Sequence, residues 1–323
     1  MRKTQIFIGI LLIAMLLLLG ACAPTPTPAP TPAPAPTPVP VLLNPYIPKA
    51  HSYKGQLHCH TTYSDGVLTP AELETAYRDA GYSFVCITDH STLLPVPAPD
   101  PGVEDILHMN GVEEHTEDGH VGNIGCIKGA RGSNDANTQL IINKIIADGA
   151  IPSLCHPASP ETFDILGLEG YILMEIWNGV VKPDVRNAEF LWDDALSAGK
   201  EVWGIAGDDY HSLETGDFDV GWVMVFADKL TREDILNGLR SGNFYTSQGP
   251  SLSISVSGNV ITVSTEASSK FEWIGPNGTI LRTKSGVTID DYLVTGAEDY
   301  VRVRVTRGSD GLTAWSQPIR SEL

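Results

Sequence analysis

One stretch decides the fold: residues 57–66, which read Leu57-His58-Cys59-His60-Thr61-Thr62-Tyr63-Ser64-Asp65-Gly66. Its start is typical of the end of a short strand, on which alternate side chains point to the same side. His58 and His60 therefore present two imidazoles to one side, and Cys59 points to the other. Two neutral imidazoles converging from one strand form a chelate for a metal ion. Asp65 follows on a predicted turn and can return a carboxylate to the same strand end.

Strand and helix patterns alternate downstream of this stretch. Apolar runs predict buried strands, and helices are predicted at residues 69–80, 138–148, 187–198 and 231–240. Thr69 and Glu72 predict a capping box at the start of the first helix. This alternation favours a parallel α/β sheet or barrel. From about residue 249, apolar and polar residues alternate without a helical pattern, which predicts a small β-sandwich-like module.

Metal-binding residue types recur where the predicted strands end. They are His58, His60, Asp65, His90, Glu113, His120, His156, Asp209 and His211. Active sites of α/β barrels are built at the carboxyl ends of the strands, whereas an open doubly wound sheet gathers its site at one switch point. The distribution therefore favours a closed barrel with one central metal site. His51, His108 and His115 do not share this placement, and we interpret them as structural or exposed.

The ordered motifs resemble those of the PHP (polymerase and histidinol phosphatase) family. They are His58-Cys59-His60, Ser64-Asp65-Gly66, Ile87-Thr88-Asp89-His90, Gly111-Val112-Glu113, Gly119-His120, Cys155-His156-Pro157 and Asp209-Tyr210-His211. The resemblance implies a distorted (β/α)7 barrel that holds two or three divalent metal ions, Zn, Mn or Fe. Residues 242–250, the C-terminal module and residues 314–319 further resemble a branch that includes the carbaryl hydrolases.

The resemblance also implies which residues share each metal ion. One ion would take His58, His60, Glu113 and Asp209; a second would share Glu113 and add His120 and His156; a third would take Asp65, His90 and His211. Glu113, Asp209 and Asp65 are the expected catalytic carboxylates. Many family members have a histidine in place of Asp65, so the third position departs from the family pattern. Asp89 is expected to orient a ligand histidine from behind.

A hydroxide formed between two metal ions attacks phosphorus or a carbonyl carbon equally well. The implied function is a metal-dependent hydrolase, first of all a phosphoesterase for phosphomonoesters or phosphodiesters. Hydrolysis of a carbamate or carboxylic ester is one alternative, and a tethered metal- or ligand-binding module without turnover is another. Lys128 and Arg131 follow a strand and either bind a phosphate oxygen or lie in a solvated loop. The pattern assigns no role to Glu175 and Asn178.

The N-terminal residues are typical of an exported protein. Arg2 and Lys3 precede an apolar run that ends in Leu19-Gly20-Ala21-Cys22, and residues 1–22 resemble a lipoprotein signal peptide with a lipobox. An uncleaved anchor helix is the alternative. The Pro-, Thr- and Ala-rich residues 23–48 predict an extended linker. A metallohydrolase barrel is predicted at 49–249 and the β module at 250–323, held outside the cytoplasm on the membrane through lipidated Cys22.

Net charge bears on the expected partners, and the cysteine positions bear on disulfide bonding. The formal net charge is −18, from which we expect no nucleic-acid groove. The family resemblance implies a small phosphate ester, ester or carbamate as substrate. Cys59, Cys86, Cys126 and Cys155 each fall in an apolar segment, which is typical of buried small hydrophobes. Disulfide pairing in an exported protein is the alternative.

Overall fold

The computed structural model describes residues 39–90, 104–130, 136–159, 163–180, 182 and 185–322. The predicted signal peptide with its lipobox, the linker as far as residue 38, and Arg131 lie outside the described residues. The part that is described belongs to one compact unit. Within it, no helix is both long enough and apolar enough to cross a membrane.

Sixteen strands and four α-helices make up the described structure. The strands are β1 (Val41–Leu43), β2 (His51–Gln56), β3 (Phe84–Ile87), β4 (Leu107–His115), β5 (His120–Ile124), β6 (Ile151–Leu154), β7 (Leu173–Asn178), β8 (Trp203–Gly207), β9 (Trp222–Ala227), β10 (Phe244–Ser247), β11 (Ser253–Ser257), β12 (Val260–Gly275), β13 (Thr279–Leu293), β14 (Tyr300–Arg307), β15 (Thr313–Trp315) and β16 (Ile319–Glu322). The helices are α1 (Pro70–Asp79), α2 (Thr138–Ala147), α3 (Glu189–Ser197) and α4 (Arg232–Arg240), and a single 3-10 turn lies at Pro276–Gly278.

Local sequence chemistry sets the helix ends. Thr69 caps α1 and exchanges hydrogen bonds with Glu72, so the predicted capping box is confirmed. Asn137 and Thr231 cap α2 and α4 by accepting a hydrogen bond from a backbone N–H in the first turn. The helices bury their apolar faces against strands. All four residues of β3, including Val85, are buried, so this strand is covered on both faces. Burial on both faces is what a continuous apolar run predicts.

Strands β2 to β8 are hydrogen-bonded neighbours in chain order. The pairs β2–β3, β3–β4, β6–β7 and β7–β8 are parallel, as the alternating pattern predicts. Strand β5 runs antiparallel to both neighbours, which the sequence did not reveal. The connection from His115 to His120 is too short for a parallel crossover, so it forms a hairpin. As a result the first residue of β5 lies at the same edge as the last residues of its neighbours.

The segments that follow β2 and β8 also meet. Cys59 and Tyr210 form a parallel bridge, the backbone N–H of His60 donates to Tyr210 O at 2.9 Å, and that of Asp209 donates to His58 O at 3.0 Å. These bonds place the extension of the last strand in this series directly beside the extension of the first. The fold is therefore mixed α/β, with the carboxyl-end loops of both strands at one edge of the sheet.

The C-terminal strands continue the same sheet. Strand β9 pairs antiparallel with β2, β10 with β9, and β15 with both β10 and β14, while the long β12 and β13 form a hairpin beside β14. Their core includes Phe271, Trp273 and Val303. Gln317 exchanges two hydrogen bonds with the backbone of Gly204 in β8, so these strands are anchored on β8 as well. A domain boundary at residue 249 stays a prediction.

A buried ion-pair cluster joins α3 to β14. The guanidinium of Arg302, whose side chain is 1% exposed, donates from Nε and Nη2 to the two carboxylate oxygens of Asp193 at 2.9 and 2.6 Å. Its Nη1 donates to Glu189 at 3.0 Å, and the charged plane lies 4.8 Å from the ring centre of Trp192. All three guanidinium nitrogens donate to carboxylates of α3, so the contact between the two elements has a defined geometry.

Candidate metal centre

The structure brings all nine predicted ligand residues together at one edge of the strands. His58 and His60 follow β2, Asp65 lies on the next turn, and His90 follows β3. Glu113 lies in β4 and His120 begins β5, whereas His156 follows β6, and Asp209 and His211 follow β8. Because β5 is antiparallel, His120 reaches this edge from the amino end of its strand.

Glu113 lies at the centre of the cluster, and five imidazoles surround its carboxylate. Its side chain is 1% exposed. Around Oε1 lie His120 Nδ1 at 2.8 Å, His156 Nε2 at 3.0 Å and His58 Nε2 at 3.3 Å; around Oε2 lie His90 Nδ1 at 3.1 Å and His60 Nε2 at 3.2 Å. The two oxygens thus face different sets of imidazoles.

Three groups made up entirely of predicted ligands offer ligand atoms that lie within 4.8 Å of one another. They are His58, His60, Glu113 and Asp209; Glu113, His120 and His156; and Asp65, His90 and His211 together with His60. The first two groups coincide with the sets implied by the sequence, and the third gains His60. Asp65 differs from the others in burial, because 51% of its side chain is exposed. The role of these side chains as metal ligands stays a prediction, and the geometry indicates which of them would share an ion.

The donor atoms fit divalent cations. Three buried atoms at the centre, His58 Nε2, His90 Nδ1 and Glu113 Oε2, have no hydrogen-bond partner. His90 Nδ1 and Glu113 Oε2 lie only 3.1 Å apart, yet they do not meet in hydrogen-bond geometry. Leaving a buried polar atom unsatisfied costs about 1–3 kcal/mol. Cations held by the groups above would satisfy these atoms, and imidazole with carboxylate is a ligand set suited to Zn, Mn or Fe.

The electrostatics of the cluster favour positive charge on His58 and His60, whereas burial lowers the pKa of His90 to about 4. Burial lowers the pKa of His58 and His60, but the surrounding carboxylates more than offset this, raising the pKa of His58 well above 6.5 and that of His60 to about 9. Burial likewise raises the pKa of Glu113, but the imidazoles outweigh it and hold that pKa well below its ordinary value. The carboxylates are therefore ionised at neutral pH, and protons compete with metal ions for the same nitrogens.

Glu175 and Asn178 contact the predicted ligands from β7. Glu175 accepts from His58 Nδ1 at 2.8 Å and from the backbone N–H of His156 at 2.7 Å. The amide of Asn178 donates to Glu175 at 2.9 Å and to Asp209 at 3.2 Å. A carboxylate behind a ligand histidine fixes the ring and raises its basicity. The sequence assigned these two residues no role, although Asn178 stands at a strand end like the predicted ligands.

Asp89 acts on the turn that carries Asp65. Its carboxylate accepts from the backbone N–H and the hydroxyl of Thr61 at 2.7 and 2.6 Å, and from the hydroxyl of Ser64 at 2.6 Å. Ser64 in turn lies 3.5 Å from His60 Nδ1. Asp89 therefore positions the turn, and it reaches a ligand histidine only through Ser64.

Two of the predicted ligand residues adopt a backbone conformation that residues other than glycine disfavour. His156 has φ 30° and Asp209 has φ 53°, both in the left-handed region. Such conformations cost of order 1–3 kcal/mol and persist where the surroundings impose them. Here the hydrogen bonds from the backbone N–H groups of His156 to Glu175 and of Asp209 to His58 O hold the strained residues in place.

Other residues singled out by the sequence lie elsewhere. Lys128 is 63% exposed and pairs with Asp148 at the end of α2 at 2.9 Å, so its ammonium group is engaged in a surface ion pair. His51 is exposed, and His108 bonds Glu74 and Asn110, as expected for structural or surface groups. The four described cysteines are buried and free, so the alternative of disulfide pairing is not realised.

His115 corrects the sequence interpretation. Its ring centre lies 4.6 Å from that of His90 and 4.2 Å from that of His120, so it stands beside the cluster. His115 follows Glu113 by two residues in β4, and residues two apart on a strand share a face. That spacing was the signal available in the sequence.

Comparison with known proteins supports the fold. No family model matches the chain. A two-domain protein from Bacteroides vulgatus, containing a predicted PHP-like metal-dependent phosphoesterase, is similar over 84% of this chain and 97% of its own, at TM-score 0.50 and 16% identity. Among curated proteins, the DNA polymerase/3′-5′ exonuclease PolX of Bacillus subtilis is 46% identical over 43 residues, which is 13% of this chain and 8% of that protein.

The fold is thus shared with a PHP-like protein, and the cluster fits a metal-dependent hydrolase. Which ester it cleaves, and which metal ions it takes, are separate questions. The chain matches only that short segment of the curated relative, so the activities of the polymerase are not carried over.

The expectation that nucleic acid is excluded as a partner is wrong. Endonuclease Q, solved with a 27-mer duplex carrying an abasic lesion at its active site, is among the similar structures, at 14% identity over 59% of this chain and 57% of its own, with TM-score 0.45. The net charge of −18 belongs to the whole chain, whereas cations bound at a site set the local charge that a phosphate meets. Overall acidity therefore does not decide this point.

Proposed function

We propose that this protein is a metal-dependent phosphoesterase whose centre is organised by Glu113. The single observation that carries the proposal is the buried Glu113 carboxylate, with five imidazoles within 3.3 Å and its oxygens facing different sets of ligands. We further infer that β2 to β8 form a distorted (β/α)7 barrel. The bonds between the extensions of β2 and β8 support this closure.

The chain's own residues would hold and orient the cations. His58, His60, Glu113 and Asp209 would hold one, Glu113, His120 and His156 a second, and Asp65, His90 and His211 a third. When bound, divalent cations supply Lewis acidity toward phosphoryl oxygens and lower the pKa of water. Glu175 would keep His58 in one orientation, and Asn178 would do the same for Asp209. The partly exposed Asp65 marks the side from which substrate enters.

The substrate class follows from phosphoryl chemistry. Phosphoryl transfer needs positioning and charge stabilisation more than covalent chemistry, and a multinuclear cation cluster provides both. Phosphomonoesters and phosphodiesters are the proposed substrates, with nucleic acid included among the diesters. A carbamate or carboxylic ester is the second candidate, motivated by the resemblance of residues 242–250 and 314–319 to the carbaryl-hydrolase branch.

A substrate panel tests the reaction class. The purified chain, supplied with Mn²⁺ or Zn²⁺, is assayed with p-nitrophenyl phosphate, bis-p-nitrophenyl phosphate, a DNA duplex with and without an abasic site, and 1-naphthyl methylcarbamate. The proposal predicts turnover of at least one phosphate ester well above that of the carbamate. Preference for the carbamate would favour the second candidate. Tight metal binding without any turnover would instead identify a binding module.

Glu113→Gln tests the centre itself. The change keeps size and shape but removes the charge that holds two cations close together. We expect loss of one metal ion per chain and a fall in kcat of at least about a hundredfold, the range for losing one strong charge-stabilising group. Glu114→Gln is the matched control, because Glu114 Oε1 accepts from Ala130 N at 2.6 Å and a glutamine oxygen can still do so. If the control is the damaging change, the shared carboxylate is misassigned.

We propose in addition that the chain is exported and anchored to the membrane by lipid on Cys22. The motivation is the resemblance of residues 19–22 to a lipobox, which lies outside the described residues. The substrate class and the lipid anchor on Cys22 are independent proposals, so each is tested by its own experiment.

A further inference from the structure

We propose that Gln56 is a positioning residue that sets the separation between His58 and Asp209, two ligands of the first predicted metal position. The inference rests on the proposed metal centre, but it concerns binding of the cation rather than the ester that is cleaved. Gln56 is the last residue of β2 and is fully buried. Its side chain contacts the backbone of two segments that carry predicted ligands.

The side-chain oxygen of Gln56 gathers backbone donors from both segments. Its Oε1 accepts from the N–H groups of Leu57 and His58 at 2.9 and 3.1 Å. It also faces the N–H of Asp208 at 3.3 Å. Leu57 and His58 follow β2, Asp208 follows β8, and all three residues are buried. Because buried backbone donors need an acceptor, this one oxygen ties the extension of β2 to that of β8.

The contact lies directly before the backbone hydrogen bonds that join the two extensions. The N–H of Asp209 donates to His58 O at 3.0 Å, and the N–H of His60 donates to Tyr210 O at 2.9 Å. Backbone groups two residues apart on a strand face the same neighbour, so the N–H of His58 faces the extension of β8 as well. Its acceptor there is the Gln56 side chain. The amide thus completes the hydrogen bonding where the two extensions meet.

The segment before β9 closes a circuit of hydrogen bonds around Gln56. Its Nε2 donates to Gly221 O at 3.0 Å. The N–H groups of Val220 and Gly221 both donate to Asp208 Oδ1 at 2.9 Å. Asp208 in turn donates its own N–H to Gln56. A satisfied buried network of this kind is rigid, so Asp208 and the adjacent Asp209 are held at a fixed distance from β2.

His58 is consequently held at two points. Glu175 accepts from its ring Nδ1 at 2.8 Å, and Gln56 accepts from its backbone. Gly207 permits this close packing, because a Cβ there would lie 2.5 Å from Glu175 Oε1 and 2.9 Å from His58 Cβ. The same Cβ would lie 3.6 Å from Gln56 Oε1. Asp209, with φ 53°, is strained and depends on such neighbours for its conformation.

Loss of the Gln56 oxygen should therefore affect one metal position selectively. His58 and Asp209 belong to the same group of predicted ligands, and both stand where the two extensions meet. The second group takes its ligands from β4, β5 and the segment after β6, and its members are Glu113, His120 and His156. A cation in that group should bind as in wild type. A residue that only stabilised the fold would not distinguish between the two positions.

Metal titration of the whole chain tests the proposal. Wild type, Gln56→Met and Gln56→Asn are stripped with a chelator, checked for fold by circular dichroism and urea denaturation, and dialysed against increasing free Mn²⁺ or Zn²⁺, with bound metal counted per chain. Methionine removes the amide at similar volume, whereas asparagine keeps an amide that is too short to reach the same N–H groups. Gln317→Met is the matched control, because Gln317 is equally buried and exchanges two hydrogen bonds with the backbone of Gly204, near the start of β8.

We expect one equivalent of metal to bind at least about tenfold less tightly in both Gln56 variants, the range for losing a group that supports a ligand. The other equivalents, and every equivalent in Gln317→Met, should bind as in wild type even where the urea midpoint falls. In an Asp209→Ala background, Gln56→Asn should weaken binding less, because one of the two residues that it aligns is absent.

Identical isotherms for wild type and both Gln56 variants would overturn the proposal, and so would uniform weakening of every equivalent or an equal loss in Gln317→Met. An undiminished effect in the Asp209→Ala background would also count against it. A wild-type chain that binds no divalent cation would overturn the proposed function together with this inference. Selective weakening in a chain that hydrolyses no phosphate ester would overturn only the proposed function.

Discussion

Replacement of Arg302 by methionine is expected to destabilise the protein strongly. Methionine fills a similar volume but removes the charge that faces Asp193 and Glu189. Asp193 would keep only the hydroxyl of Tyr300, at 2.9 Å, as a partner from β14, whereas Glu189 would still pair with Arg304 at 3.1 Å. Breaking a buried ion pair by removing one partner costs about 3–5 kcal/mol. For a chain of this size that corresponds to a fall in Tm of roughly 10 °C.

Urea and thermal denaturation followed by circular dichroism measure this change. Arg78→Met is the control, because Arg78 pairs with Asp79 at 2.8 Å on the surface, where such a pair contributes about 0–1 kcal/mol. Arg302→Met combined with Asp193→Asn should recover part of the loss, since no uncompensated charge then remains buried at this position. If Arg302→Met unfolds within about 1 kcal/mol of wild type, as the control should, the cluster does not hold α3 to β14 as argued.

Four further expectations can be checked directly. His58→Ala with His60→Ala should remove bound metal while circular dichroism shows the fold retained; unchanged metal content would contradict the ligand assignment. Glu175→Gln should weaken metal affinity about 10- to 100-fold in equilibrium dialysis, because a carboxylate behind a ligand is lost. Glu189, whose pKa the arginines lower to about 2 despite burial, stabilises the fold above pH 4.5, and the urea midpoint should fall as pH drops from there toward 2. Cys22→Ser should shift the exported chain out of the detergent phase; equal partition would exclude the lipid anchor.

The grouping of the predicted ligands at one edge was accessible from the sequence because their positions obey local rules. His58 and His60 follow from the two-residue period of a strand, and their neighbours from the ends of apolar runs. The direction of β5 was not predicted, but the location of His120 was, because the hairpin brings the first residue of β5 to the same edge of the sheet. The error about His115 had a different origin, because the position was judged by strand ends rather than by the face it shares with Glu113.

Contacts between distant parts of the chain lay beyond such rules. Glu175 meets His58 across 117 positions, and Arg302 meets Asp193 across 109. Neither pair has a local spacing, so only the folded backbone reveals which carboxylate supports which partner. For Lys128 the local position was misleading. Its place after a strand suggested a phosphate contact, but its ammonium group pairs with Asp148. The expectation that nucleic acid is excluded as a partner was wrong for a related reason. Net charge sums over the whole chain, including many positions that a substrate never contacts.

The left-handed backbone at His156 and Asp209 has an evolutionary consequence. Glycine at either position would relieve the strain and stabilise the polypeptide, yet it would delete a ligand. Mutational drift in a lineage that no longer needs the reaction should therefore reach these two sites early, because there loss of function and gain of stability coincide. A homologue that has glycine or asparagine at these positions, with the strands otherwise intact, is expected to have lost the activity.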